Sequence, residues 1–323
     1  MARLIDEIRA GARIYEPGPL SAEAKPEWQD DLELVLYLLK NNPRLPVLLI
    51  DNVAEYYWLH MLDEHVRQKK DINFPNLAPP YEKVFWVEYT LTAAIRDRNR
   101  GVNMRRLGVM VHVATEGAAS PEIRWELQFY CFVQQYDGII VGPYGVPLLH
   151  VNKAGGLAGA AKHGWSMSGW MEPLLRGPAE EYNAARGQLV ALLVALQPVP
   201  LAICFLHCKN VATVDNSMPA PLAKKYHTRT GSWPTRYRTL VIEPLKEILK
   251  HEGGIEKVGL ERALHICRGH FASYKETGPG LFGKGIYGDV WIPQYLRGVR
   301  KPDQEGDPPR EIQFKLDEKK LKS

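Results

Sequence analysis

The segment HICRGHFASY, residues 265–274, carries polar side chains that are hard to read as filler between apolar neighbours. Read as one strand it alternates, so that Arg268, His270 and Tyr274 share a face while His265 and Cys267 point the other way. A guanidinium, an imidazole and a phenol side by side suit a phosphate: the first offers a fork of donors, the second donates or shuttles a proton, the third stacks or donates. Gly269 lets a ligand or a second backbone come close. The same residues also make sense as a structural network that ties the following loop to a sheet. In that reading Glu88, a lone carboxylate in the apolar run VFWVEYT, is the ionic partner of Arg268 or Arg297.

The loop that follows, GPGLFGKGIYGDVW at 278–291, holds two overlapping glycine patterns of the type that cradles phosphates. A kinase loop has this spacing, but too few residues follow Val290 to supply the strand lysine, catalytic loop and metal-binding aspartate. A dinucleotide fold needs a helix next, and Pro293 interrupts the next apolar segment. The glycines are better explained by a tight β-hairpin loop that turns through positive φ.

Other constellations fail in similar ways. GGLAGAAK lacks the lysine-plus-hydroxyl ending of a P-loop, and GWSMSG has Ser168 where a nucleophile elbow requires glycine. CFLHCK brings Cys204, His207 and Cys208 close, but zinc needs a fourth ligand and the apolar surroundings suggest a strand interior. No metal or cofactor is expected.

The basic residues are clustered. Between Asp215 and Glu243 there is no acid, while Lys224, Lys225, Arg229, Arg236 and Arg238 accumulate with His227. Two readings compete: a solvated, mobile loop of surplus lysines, or an arm that contacts phosphates. The net charge of +4 is too mild to decide between them. With 323 residues, 45% of them hydrophobic, the chain can bury a sizeable core. The first residues mix acids into their apolar positions, so neither a secretory signal nor a membrane span is expected, and the cytoplasm is the default. The four cysteines sit in apolar segments, which argues against a disulfide framework.

These residues need elements to position them. Near-helical spacing of Leu32, Leu34, Val35, Tyr37, Leu38 and Leu39 predicts a buried helix over 27–41, and VAEYYWLHMLDEHVRQKK predicts another. VFWVEYT, RLGVMVHVAT, RWELQFYCFVQQY and GIIVGPYGVPLLHV then read as an antiparallel meander. Residues 153–178 read as a loop, about 180–197 as a helix, and VPLAICFLHCKNV as a strand buried on both faces. YRTLVIE, the 265–274 segment and VWIPQYLRG complete the strands. The class is therefore α+β, with N-terminal helices, an antiparallel meander and a C-terminal mixed sheet bearing the glycine-rich hairpin. Its expected parts are 1–198, a C-terminal region 199–300 with the basic arm, and a polar, proline-punctuated tail 301–323.

The pattern His265-x-x-Arg268-Gly269-His270-Phe271-x-x-Tyr274, a glycine-containing loop, then Trp291-x-Pro293 and Arg297-Gly298, resembles the C-terminal signature of a phage and prophage family. The best-known member of that family is the second anti-CRISPR protein described against type V-A systems. CKNV, KKYHTRTGSWPTRYRTLVI and PPYEKVFWVEY are similar to segments that phage relatives carry in the same order, so the resemblance covers roughly 205–300, with an echo near 79–89. It implies a regulator that recognises the start of a nascent polypeptide during translation and causes loss of the corresponding mRNA. The implied partners are the nascent chain of a target such as a CRISPR effector, the mRNA or ribosome, and host ribonucleases, with no membrane. His265, Arg268, Gly269, His270, Phe271, Trp291 and Arg297 become signature positions. The expected RNA contacts are Lys224, Lys225, Arg229, Arg236, Arg238, Lys284 and Arg297.

Two rivals belong to other classes. One is a metal-free ribonuclease with His265 or His270 as base and acid, and Arg268 and Lys284 stabilising the phosphorane. The other is a protein that sequesters its target without chemistry.

Overall fold

The structure is a computed structural model. It describes residues 3–18, 24–62, 72–98, 103–114, 122–144, 147–158, 165–167, 179–208, 211–216, 218–230, 233–241, 265–267, 270–278, 287–292 and 295–297. The glycine loop at 279–286 with Lys284, the pair Arg268–Gly269, and the tail 301–323 lie outside the described residues. The chain divides into two compact units, Met1–Cys204 with Thr213–Val241, and Phe205–Ala212 with Ile242–Ser323. The class is α+β: helices accompany a ten-stranded mixed sheet, and two small two-stranded sheets follow.

The large sheet belongs to the first unit. Its centre is the expected meander: β3 (Val84–Thr90), β4 (Arg106–Ala114), β5 (Trp125–Gln134) and β6 (Ile140–Tyr144) pair antiparallel in sequence order. Around it, β1 (Ile14–Tyr15) joins β6 in parallel, and β2 (Val47–Leu49) lies parallel to β3. The run GIIVGPYGVPLLHV breaks into two strands, β6 and β7 (Pro147–Val151), both paired to β5. Gly142, at φ +145°, carries the backbone past β5, where a Cβ would meet the Cys131 carbonyl at 2.6 Å. Residues 153–178, expected as a loop, contain β8 (Trp165–Met167), paired to β7.

Strand β3 is covered on both sides, which explains its nearly continuous apolar sequence. Trp86, Met110, Tyr130 and Phe132 share a core with residues of α1 (Leu4–Arg9) and α2 (Ala24–Asn41). On the other face, the Tyr89 hydroxyl donates to the Ala195 carbonyl at 2.6 Å, in α5. The helices between these are α3 (Asp51–Tyr56), which runs into a π-helical turn at Tyr57–Met61, and α4 (Ala93–Arg98); α5 spans Ala179–Leu196. Helix α2 is less buried than its leucine content suggests. Trp28, Val35 and Leu39 form the inward stripe, whereas Leu34, Leu36 and Tyr37 are exposed.

VPLAICFLHCKNV is not a strand: its first part is helix α6, Pro198–Leu206. A nine-residue apolar run has no period with which to tell helix from buried strand. Pro198 decides locally, since proline at a first helical position loses only an amide that lacks a partner anyway, and Leu201 N–H then bonds back to the Gln197 carbonyl at 3.3 Å. Among the described residues, the stretch Leu189–Leu206 is long and apolar enough to cross a membrane, but 72% of it is buried within the chain, as in a core helix. That is compatible with a soluble protein. Cys131, Cys204 and Cys208 are buried thiols.

Candidate nucleic-acid interface

The acid-free stretch is built on a helix and leads into a strand. Helix α7, Ala220–Thr230, begins after Pro219, whose carbonyl accepts the Ala223 amide at 2.9 Å, and it ends with His227 and Arg229 in the last turn, where cations suit the helix dipole. It lies between β9 (Ala212–Asp215) and β10 (Tyr237–Val241), which form one end of the large sheet, β10 pairing parallel with β2. Among the described side chains of α7, only Ala223 and His227, one turn apart, are half-buried. Lys224, Lys225 and Arg229 are exposed on the helix, and Arg236 and Arg238 are exposed on the segment that returns to the sheet. The structure thus places all five predicted cations of this stretch at the surface of one unit.

The return segment is firmly seated. Trp233 stacks on His227 with ring centroids 4.3 Å apart and planes 27° from parallel. Thr235 Oγ1 donates to Asp6 Oδ1 at 2.7 Å, and the Tyr237 hydroxyl donates to Asp6 Oδ2. Burial and the Asp6 carboxylate raise the Tyr237 phenol well above its ordinary value, so it stays a donor. Arg9 bridges Thr235 Oγ1 at 3.1 Å and the Asn42 carbonyl at 3.0 Å. Arg238 Nη1 lies 3.4 Å from the Tyr81 hydroxyl, linking the stretch to the PPYEKVFWVEY segment.

The signature residues of the second unit lie on short antiparallel strands. The segment 265–274 carries β11 (His265–Cys267) and β12 (His270–Tyr274), with Arg268–Gly269 between them outside the described residues. Their partners keep one register, His265 facing Arg297 and His270 facing Ile292, so the alternation expected for the segment is not interrupted among the described residues. Strand β11 pairs antiparallel with β14 (Tyr295–Arg297), setting His265 opposite Arg297 in register, and β12 pairs antiparallel with β13 (Gly288–Ile292). Among the described residues, the region 199–300 thus gives β9 and β10 to the large mixed sheet and forms these antiparallel pairs besides. His270 is exposed and Tyr274 half-buried.

Phe271 and Trp291 are cross-strand partners, 4.8 Å between ring centroids, and both contact Phe205, at 5.1 and 4.8 Å. With Trp291 only 3% exposed, this trio is a small core, and the two signature aromatics are packing residues. In CFLHCK, burial, assisted by Asp289, pushes the Cys208 thiol up to about 12, so it is not a ready nucleophile. Among the described residues no group of three or more His, Cys, Asp or Glu side chains is placed to hold a metal.

Comparisons with protein-family models, with curated proteins and with solved structures return no match to this chain.

Glu88 has partners other than the expected arginines. Fully buried, it accepts the amides of Leu4 at 3.1 Å and Ile5 at 3.3 Å and the Trp86 indole N–H at 3.2 Å. It caps the Leu4 and Ile5 amides of α1, while Asp6 Oδ2 takes the Arg3 amide at 3.4 Å. Desolvation raises its pKa, and these three donors oppose that rise. Gly108, directly opposite in β4, leaves room for the indole: a Cβ there would come within 2.3 Å of Trp86 Cζ2.

Two features were not extracted from the sequence. One is Trp233, although an aromatic inside an acid-free basic stretch is itself a signal. The other is a relay across three strands. His150 Nε2 lies 3.2 Å from Glu126 Oε2, Gln128 Nε2 donates to Glu126 Oε1 at 2.8 Å, and Gln128 Oε1 meets His112 Nδ1 at 2.9 Å. The polar alternation Glu126, Gln128 in an otherwise apolar strand was the signal there.

Proposed function

We propose that this chain is a regulator that engages RNA through the surface formed by α7 and the start of β10. As the C-terminal resemblance implies, the RNA is a message under translation in a host bacterial cytoplasm. Recognition of the nascent polypeptide leads to loss of that message, with the ribosome and host ribonucleases as further partners. The observation that carries the RNA part is the exposure of Lys224, Lys225, Arg229, Arg236 and Arg238 on a stretch without acids. Arginines and lysines left free at a surface pair with phosphates and release counterions, which gives sequence-tolerant, salt-dependent binding. The rival reading, a metal-free ribonuclease, needs Arg268 and Lys284, which lie outside the described residues, and has no observation that favours it.

The binding test is direct. The triple reversal Lys224→Glu, Lys225→Glu, Arg229→Glu should lower affinity for a labelled RNA by at least about tenfold and make the salt dependence shallower by about two units of slope. Unchanged affinity and slope refute RNA engagement by this surface. The translational part is tested by affinity capture from translating cells with and without puromycin. A transcript that is captured only while nascent chains stay on ribosomes supports co-translational recognition. A transcript that persists after puromycin supports direct RNA binding alone, and a protein partner without RNA supports sequestration.

A further inference from the structure

The basic surface carries a large aromatic ring that packing does not require. Trp233 is 54% exposed, although a tryptophan left in water forgoes more burial energy than most side chains. Its position is nevertheless defined, because one ring face rests on the His227 imidazole at 4.3 Å, nearly parallel. With that face covered and more than half of the residue exposed, the opposite face is open to solvent. Arg229 precedes this ring by four residues and Arg236 follows it by three, both exposed. An indole with one face on a stacked partner and the other open, with arginines close by in the sequence, is the kind of platform on which unpaired bases stack while nearby cations take the phosphates.

We infer that Trp233 is a base-stacking platform, and that the α7–β10 surface takes single-stranded RNA in preference to duplex. The inference rests on the RNA-binding reading above and adds the form of the RNA to it. In an A-form duplex every base face is already stacked on its neighbours, so an indole can be used only where the strand is unpaired. The cations alone would not discriminate, since both forms present phosphates. His227 is then a positioning residue: it holds the indole flat and contacts no RNA itself.

The experiment measures binding of an unstructured RNA, the same strand paired with its complement, and the matching DNA strand. It uses the full-length wild type, Trp233→Ala, Trp233→Phe and the triple charge reversal. Trp233→Ala should weaken binding of the unpaired RNA by about tenfold and leave duplex affinity unchanged. The fluorescence quench that unpaired RNA causes in the wild type should be largely lost in Trp233→Phe, which keeps an aromatic face and most of the affinity. Because Trp233 is exposed, both variants should melt within about 2 °C of the wild type. Should Trp233→Ala melt early, the quench comparison with Trp233→Phe decides alone.

Equal loss of single-strand and duplex affinity, or a quench that survives Trp233→Phe, overturns the stacking role. If the triple reversal still weakens binding in that case, the basic-surface reading stands without it. Wild-type protein that binds no RNA removes both, and tighter binding of the DNA strand than of the RNA overturns the choice of RNA.

Discussion

Two polar regions of the first unit make opposite use of their charge. Around α1, charged groups turn inward and use one another up. Glu88 is shared between two amides and an indole, and Glu7 takes Arg106 at 3.4 Å and Gln134 at 2.6 Å, both of which are buried. Along α7 and the segment that returns to the sheet, five cations face solvent, and one of them, Arg238, has a distant protein contact at 3.4 Å, to Tyr81. The first arrangement is what burial demands, because a buried charge without partners costs several kcal/mol. The second gains nothing for folding, since exposed charges contribute close to zero to stability. Charge that folding does not need marks the place to look for a ligand.

Asp6 connects the two regions. Its carboxylate holds Thr235 and Tyr237, so the inward-facing helix α1 fixes the strand that carries the outward-facing cations. A six-residue helix has little stability of its own, and its value lies in these long-range bonds.

The contrast can be broken in stages. The largest effect is expected in the second unit, where Trp291→Ala empties the aromatic trio with Phe205 and Phe271 and should cost about 3–5 kcal/mol, read from urea denaturation. Phe271→Leu should cost clearly less, which separates packing from any contact with a ligand. Glu88→Ala comes next. It strands the Leu4, Ile5 and Trp86 donors in a dry site and should cost about 3 kcal/mol, with Glu88→Gln recovering part of the loss. A Glu88→Ala protein as stable as wild type would refute its capping role.

The triple reversal on α7 should do the opposite of both. Its unfolding free energy should stay within about 0.5 kcal/mol of wild type while RNA affinity falls. Stability loss without affinity loss would show that these cations belong to the fold after all.

The smallest effect concerns Asp31 on α2. Partial burial, with Glu27 and Asp30 nearby, raises its pKa from 3.8 to about 6. The folded chain therefore keeps this proton to higher pH than the unfolded chain does. Its contribution lowers stability as pH rises from about 4 to about 6 and is constant above that. Asp31→Asn should flatten that part of the curve of melting temperature against pH, and an unchanged slope would assign the titration to another group.

The comparison also shows what kind of information each level holds. The meander was legible because strands covered on both faces read as apolar runs separated by turns, and β3, β4 and β5 fit that rule. Helix α6 was not, since PVPLAICFL has no period and its form is set by the neighbours that bury it.

For the candidate interface, the sequence by itself determined that the cations are concentrated and that no acid interrupts them between Asp215 and Glu243. These are properties of composition and order, and no folding can change them. Only the tertiary structure decided that the stretch is built on a helix, that its cations stay outside, and that Trp233 rests on His227. It likewise decided that Glu88 serves α1 and Trp86, more than eighty residues apart from the helix it caps. Which donor reaches a buried carboxylate, and which ring covers another, depends on contacts between distant segments that local pattern does not encode.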